Sequence, residues 1–219
     1  MFKYFEFNLK GISLILLYLL PISLLTGPAI PDISITIIGI FFITDSIIRK
    51  ELEWLSEKWI ISGLALWVAF ILISFFAIDI KNSLQNAIIF IRYVMFSAAV
   101  SYWLLKERKQ FIFFLQILSI TLIFIVFDCF YQLINYNSLE GFGKDIFGFT
   151  SNHYGRLSGP FNDDVAGAHI SRFLFFTILL FLLKRNNFYL NNLTFILFIS
   201  LSSYIIWLSG EAMAIATTF

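Results

Sequence analysis

The stretch FIFFLQILSITLIFIVFDCFYQLI, residues Phe111–Ile134, carries one charged side chain, Asp128, among its 24 residues. A helix needs about 20 predominantly apolar residues to cross a hydrocarbon core roughly 30 Å thick. This stretch therefore predicts a transmembrane helix, and comparable apolar stretches lie on both sides of it.

The composition of the whole chain excludes an ordinary soluble domain. Apolar residues make up 59% of the chain and charged residues 13%, whereas soluble globular proteins carry about 25% charge. Phenylalanine alone accounts for 28 of the 219 residues, more aromatic surface than a soluble fold of this length can bury. The single cysteine, Cys129, excludes an internal disulfide and a multi-cysteine metal site. We expect it to be a small buried residue.

Seven apolar stretches predict an all-α fold, a polytopic transmembrane helix bundle of about seven spans in one domain over residues 1–219. The stretches are Gly11–Thr26, Ile33–Ile48, Trp59–Ala77, Leu84–Leu105, Phe111–Ile134, Val165–Leu183 and Leu193–Leu208. Gly27, Pro28 and Pro31 predict a tight turn after the first span. The alternative for that span is a cleavable signal peptide, because Lys3 and Lys10 precede it, but no clear small-x-small cleavage site follows.

The basic residues are divided unequally between the connections, and short cytoplasmic loops of membrane proteins retain Lys and Arg. Numbering the spans from a cytoplasmic N-terminus leaves only three basic residues outside, Lys81, Lys144 and Arg156. The inner connections then hold ten: Lys3, Lys10, Arg49, Lys50, Lys58, Lys106, Arg108, Lys109, Lys184 and Arg185. This distribution predicts that the N-terminus is cytoplasmic.

The long connection at residues 135–164 lies on the outer side in this topology. It interrupts the apolar pattern with Gly141, Gly143, Gly148, Gly155, Gly159 and Pro160. Long loops between membrane helices are often functional, so we expect a polar ligand here, the alternative being a tolerated insertion.

Three charged residues fall within predicted spans, where each costs roughly 2.5–3.5 kcal/mol on insertion scales and is a functional candidate. Arg92, Asp128 and Arg172 are expected in one layer near the outer surface, and Gln132 and His169 share helix faces with two of them. One interpretation is that Asp128 neutralises an arginine to hold the bundle together. The other is an anion-binding pocket, since two arginines face one carboxylate.

Residues 155–169, GRLSGPFNDDVAGAH, join the outer loop to the sixth predicted helix. Gly159 and Pro160 predict a turn, and the small residues 166–168 permit close helix contacts. Arg156 offers a planar fork for phosphate or carboxylate at the outer surface.

The polar residues before that helix have two interpretations. Asn162 or Asp163 can cap the helix N-terminus. Asp163 and Asp164 either orient the hydroxyls of a sugar or only complement the helix dipole.

The segment Arg156–Asn162, RLSGPFN, followed by a helix that opens with small residues, resembles the signature of the O-antigen ligase and O-antigen polymerase superfamily. A second similarity is Leu208–Glu211, LSGE, where the family often has a Ser/Thr-Gly-acid run followed by arginine. Ala212 stands at the position of that arginine here. The resemblance covers about residues 80–219.

The superfamily consists of bacterial inner-membrane enzymes that act on undecaprenyl-diphosphate-linked glycans. The resemblance implies glycosyl transfer to a glycan or lipid acceptor by inverting displacement. The sequence has no carboxylate cluster of the usual kind, so we expect no metal, and we expect no other cofactor and no nucleic acid. Arg92, Arg156 and Arg172 are the expected diphosphate ligands. The expected supporting polar residues are Asp128, Gln132, Asp163, Asp164, His169 and Glu211.

No residue is assigned as the catalytic base. The family's ligases have an essential histidine in a further large outer loop, and neither His153 nor His169 matches it. We expect the former to be solvated and the latter to be hydrogen-bonded within its helix.

A transporter or flippase of polysaccharide or of lipid-linked sugar is the alternative function, with the same charges lining a substrate path. Against it, no pair of interrupted helices occurs in matching halves of the chain. Similar enzymes have ten or more spans, so the 219 residues are expected to be the N-terminal portion of such an enzyme, or an insertion-competent bundle without activity.

Overall fold

The computed structural model describes residues 2–137, 141–150, 156–161, 164–184 and 192–211. Every regular element in these ranges is helical, which confirms the predicted all-α fold. The helices are α1 (Phe2–Ser23), α2 (Ala29–Arg49), α3 (Lys58–Ser74), α4 (Ile80–Ile89), α5 (Ile91–Ala99), α6 (Arg108–Ile134), α7 (Ala166–Lys184) and α8 (Asn192–Leu208). Short 3₁₀ turns occur at Leu24–Thr26, Glu53–Ser56 and Gly159–Phe161, and a wider π turn at Val100–Leu104.

Five helical stretches in the described ranges are long and apolar enough to cross a membrane: Leu9–Thr26, Ala29–Arg49, Ile80–Leu104, Arg108–Ile134 and Ala166–Leu183. The other two predicted spans correspond to the shorter apolar helices α3 and α8, of 17 residues each. At 1.5 Å per residue these reach about 26 Å, slightly less than the hydrocarbon core. The chain is a polytopic membrane protein, and its orientation stays a prediction.

Two helix boundaries differ from those predicted, and local backbone chemistry explains both. The second helix begins at Ala29, four residues early, because Pro31 lies in the first turn, where an N–H has no intrahelical partner in any case. The helix after the third span begins at Ile80, because the side chain of Asp79 accepts a hydrogen bond from the Asn82 N–H at 3.1 Å and caps it.

The helices form two compact units. The N-terminal unit comprises Met1–Leu24 and Pro28–Phe111, and the C-terminal unit comprises Leu25–Gly27 and Ile112–Phe219.

Close helix contacts in the N-terminal unit depend on small residues. A β-carbon built on Gly39 of α2 would lie 3.3 Å from the Met95 β-carbon of α5, and one on Gly63 of α3 would lie 3.3 Å from a methyl of Val94. In lipid, helices associate through close packing of this kind rather than through the hydrophobic effect. The two glycines thus let α5 pack against α2 and α3.

In the C-terminal unit, α7 packs against α8, and the rings of Phe181 and Phe195 stack 3.7 Å apart. On α6, Cys129 is fully buried, as expected from the sequence. The C-terminal turns of α6 and the ends of α7 and α8 carry the polar residues of the candidate site.

Candidate functional site

The described parts of the outer loop fold back on the C-terminal turns of α6. Asn137 and Gly141 exchange two backbone hydrogen bonds of 2.8 and 2.7 Å. The Gly143 N–H then donates to the Gln132 carbonyl at 3.3 Å. The loop is thus hydrogen-bonded both to itself and to the end of α6.

Gln132 fixes the backbone of the segment that carries the first motif. Its side chain is fully buried, and its Oε1 accepts hydrogen bonds from the N–H groups of Ser158 (3.2 Å) and Gly159 (2.9 Å). Its Nε2 donates to the Ser158 hydroxyl at 3.3 Å. The Leu157 carbonyl accepts from the Ala166 N–H at 3.1 Å, so the same segment is also tied to the start of α7.

Gln132→Leu is expected to destabilise the C-terminal unit. The substitution keeps the side-chain volume but leaves the buried N–H groups of Ser158 and Gly159 without an acceptor, at about 1–3 kcal/mol each. We expect a lower midpoint of thermal unfolding in detergent and faster amide hydrogen exchange at residues 157–159.

Gln116→Leu is the matched control, because Gln116 lies on the same helix, is only partly buried and has no side-chain hydrogen bond within the described residues. Equal destabilisation by both substitutions would show that the hydrogen bonds of Gln132 contribute nothing specific.

Two buried carboxylates lie beside this segment. Asp128 is fully buried, and its Oδ1 accepts from the Ile146 N–H at 2.7 Å. Asp145 is 2% exposed, and its Oδ1 accepts from the Phe149 N–H at 2.6 Å. The Oδ2 atoms of both aspartates are buried and have no hydrogen-bond partner among the residues that the structure describes. Both carboxylates therefore bind loop backbone, a structural contact rather than an anion site.

Arg92 has an acidic partner that the sequence did not indicate, Asp32. Arg92 lies in the N-terminal unit, where its Nη2 donates to Asp32 Oδ2 at 2.8 Å and to the Tyr93 hydroxyl at 2.9 Å. The arginine side chain is 21% exposed and the aspartate 40%. The charge of Arg92 is balanced within its own unit, so this residue is a weaker candidate for diphosphate than expected.

Gly159 occupies a position that only glycine fits without strain. Its φ is +54°, in the left-handed region, and a β-carbon built on it would lie 2.5 Å from Cys129 Sγ and 3.9 Å from Asp128 Oδ2. The predicted turn at Gly159 and Pro160 is present as a buried 3₁₀ turn. The backbone of the motif thus packs directly against α6.

The two segments that carry the family resemblance meet in the C-terminal unit. A β-carbon on Gly167, in the first turn of α7, would overlap the Ser209 hydroxyl and lie 3.1 Å from the β-carbon of Glu211. A β-carbon on Gly210, whose φ is +67°, would lie 3.9 Å from Arg156 Nε. The LSGE turn therefore lies against the start of α7, with Arg156 beside it.

The remaining expected ligands are the two arginines of this unit. Arg156 and Arg172 are exposed, and neither has an acidic partner within the described parts of the chain. Both are therefore exposed cations, of the kind that a diphosphate ligand requires. Asp163, expected in the supporting set, lies outside the described residues.

His169 is held between an aromatic ring and a carboxylate. Its ring stacks on Phe161 with centroids 4.0 Å apart and planes 15° apart. Its Nε2 lies 3.6 Å from Asp164 Oδ2, and the histidine side chain is 19% exposed. The carboxylate belongs to the residue two before the first residue of α7.

Sequence reasoning missed two acidic residues. Asp32, in the first turn of α2, carried no sign that its partner lies 60 residues away. Asp145 lies among other polar residues in a glycine-rich loop. Its burial depends on how the loop folds, which the sequence does not indicate.

Comparisons with protein-family models, curated proteins and solved structures return no match to this chain.

Proposed function

We propose that the chain is a membrane glycan transferase of the O-antigen ligase or polymerase type. It transfers or polymerises an oligosaccharide carried on undecaprenyl diphosphate at the outer face of the bacterial inner membrane. The acceptor is the hydroxyl of a second glycan or of a lipid-linked sugar.

The observation that carries the proposal is the contact between two distant segments. The first segment contains Arg156, in the outer loop, and Gly167, in α7. The second segment, Ser209–Glu211, follows α8. Gly167 nevertheless packs on Ser209, and Arg156 lies beside Gly210. Both segments resemble the same family in sequence, and that resemblance does not depend on any contact between them. Their meeting supports a common site.

The exposed guanidinium groups provide the chemistry that the leaving group needs. In the proposed step the acceptor oxygen forms a bond to the anomeric carbon, and the bond from that carbon to the diphosphate oxygen breaks with its electron pair. Arg156 and Arg172 would offer planar, permanently charged donors to the diphosphate as its negative charge develops.

The test uses the full chain reconstituted in vesicles with a fluorescent undecaprenyl-diphosphate oligosaccharide and an acceptor glycan. We expect a new glycosidic bond, and a loss of at least about 100-fold in transfer rate for Arg156→Ala, the usual effect of removing one donor to a developing negative charge. Lys144→Ala, which removes another exposed cation of the outer loop, is the control and should transfer at the wild-type rate.

Movement of labelled lipid across the vesicle without bond formation would replace the transferase by a flippase. Equal transfer by the wild type and Arg156→Ala would remove this arginine from the site.

A further inference from the structure

We propose that Asp128 and Asp145 together bind a divalent cation of the calcium or magnesium class, which fastens the outer loop to the C-terminal turns of α6. The inference goes beyond the proposed function and does not depend on it. The sequence alone predicts no metal, because nothing in it places the loop aspartate beside the helix aspartate.

The two carboxylates come from separate elements and lie close together. Asp128 is in α6, and Asp145 is in the outer loop. Asp128 Oδ1 accepts a hydrogen bond from the Ile146 N–H at 2.7 Å, and that nitrogen is bonded to the carbonyl carbon of Asp145. Standard backbone geometry therefore puts this carboxylate oxygen within about 5 Å of the Asp145 α-carbon. Two side chains this close can share one cation.

Each carboxylate keeps one oxygen for a further partner. The Oδ1 atoms are engaged by loop N–H groups, that of Ile146 for Asp128 and that of Phe149 for Asp145. The Oδ2 atoms are buried and have no hydrogen-bond partner among the described residues. Asp128 is fully buried and Asp145 is 2% exposed. Neither aspartate takes part in an ion pair within the described parts of the chain.

Two bare carboxylate oxygens in one buried place require a positive partner. An ionised carboxylate that is removed from water without a countercharge costs several kcal/mol, and a like charge nearby adds to that cost. A proton on one of the two would neutralise only that carboxylate and leave the other unpaired. A divalent cation matches the charge of both, and Ca²⁺ and Mg²⁺ are the ions that prefer oxygen ligands.

Water and backbone oxygens would complete the coordination shell. Within the described residues no third His, Cys, Asp or Glu side chain joins the pair, and one or two carboxylates are a common protein contribution to a Mg²⁺ site. Asp128 Oδ2 faces the backbone of Gly159, since a β-carbon built there would lie 3.9 Å from it. Ile146 and Phe149, whose N–H groups bind the two carboxylates, have exposed side chains. Movement of the loop alone therefore gives a cation access.

The test measures the thermal midpoint of the full chain in detergent after treatment with EDTA, and again with Ca²⁺ or Mg²⁺ added at constant ionic strength. An ion that binds only the folded state stabilises it, so we expect a rise of about 5–10 °C at about 100 times the dissociation constant. Amide hydrogen exchange at Ile146 and Phe149 should slow at the same time, because these N–H groups bond to the two carboxylates.

Asp128→Asn and Asp145→Asn each remove one charge but keep an oxygen that can accept from the loop N–H. Each should weaken cation binding, followed by terbium luminescence, by at least about 10-fold. The double variant should show no cation-dependent rise, and without a cation it should be at least as stable as the EDTA-treated wild type, because it lacks the two unpaired charges.

Asp79→Asn is the matched control. Asp79 also accepts a backbone N–H, from Asn82 at 3.1 Å, but it is exposed. This variant should keep the wild-type response to both cations.

A thermal midpoint that responds to neither cation, or a response that the double variant retains, would overturn the assignment. A midpoint that rises on acidification and not with a cation would overturn it in favour of a shared proton. The transferase proposal stands or falls separately, because its test is the formation of a glycosidic bond.

Discussion

Gly159→Ala is expected to detach the first motif from α6 and to abolish glycan transfer. An L-residue at φ +54° costs about 1–2 kcal/mol. The added methyl would also lie 2.5 Å from Cys129 Sγ in a fully buried position, and overpacking of this kind costs about 1–3 kcal/mol. The free energy of unfolding, measured by SDS titration in mixed micelles, should fall by roughly 2–5 kcal/mol.

Two further variants separate these contributions. Gly148→Ala lies in the same loop at φ +89° with no atom within 4 Å of the added carbon, so it reports backbone strain alone. Cys129→Ala combined with Gly159→Ala removes the overlap but keeps the strain, and should recover about 1–3 kcal/mol. If the double variant recovers nothing, the packing of Gly159 on α6 is not the cause.

The fold was largely predictable, because a chain with 59% apolar residues in long runs has few ways to satisfy its backbone in lipid other than helices. The apolar runs do not determine the residues at which the helices begin and end. The helices that begin at Ala29 and Ile80 start within proline-containing or polar sequence. Their first residues are determined by N-terminal capping and by the tolerance of proline in the first helical turn. Hydropathy reports neither of these.

Within the candidate site, local relations were predictable and distant ones were not. Asp128 and Gln132 were expected on one face because they are four residues apart on a helix, and both bind the outer loop. The loop partner of Asp128 is the backbone of Ile146, and backbone donors leave no trace in a sequence. The pairing of Arg92 with Asp32 likewise depends on how α5 packs against α2.

Counting the charges within the predicted spans did not predict the partner of Arg92, because that partner lies just outside them. Three intramembrane charges suggested one carboxylate shared between two arginines. The structure instead balances Arg92 with an aspartate at a helix start and gives Asp128 a backbone partner. A count of charges within spans omits acidic residues just outside them, such as Asp32, which a long arginine side chain can reach.

Gly167→Ala is expected to separate α7 from the LSGE turn and to lower transfer together with stability. Gly167 has an ordinary helical backbone, where alanine is normally the better helix former by about 1 kcal/mol. The added methyl would nevertheless overlap the Ser209 hydroxyl, which is fully buried and donates to the Ile206 carbonyl at 2.6 Å. Overpacking should therefore outweigh helix propensity, with a net loss of about 1–2 kcal/mol.

Gly11→Ala supplies the matched comparison, since Gly11 is also helical but has no atom within 4 Å of an added β-carbon, and this variant should be neutral or slightly stabilised. Adding Ser209→Ala to Gly167→Ala removes the overlapping oxygen and should restore part of both stability and transfer, whereas Ser209→Ala alone should cost only its own hydrogen bond. Because Arg156 lies beside Gly210, restored transfer in the double variant would link the α7–α8 contact to the cation of the site. A Gly167→Ala chain as stable and active as Gly11→Ala would mean that the two motif segments do not depend on this contact.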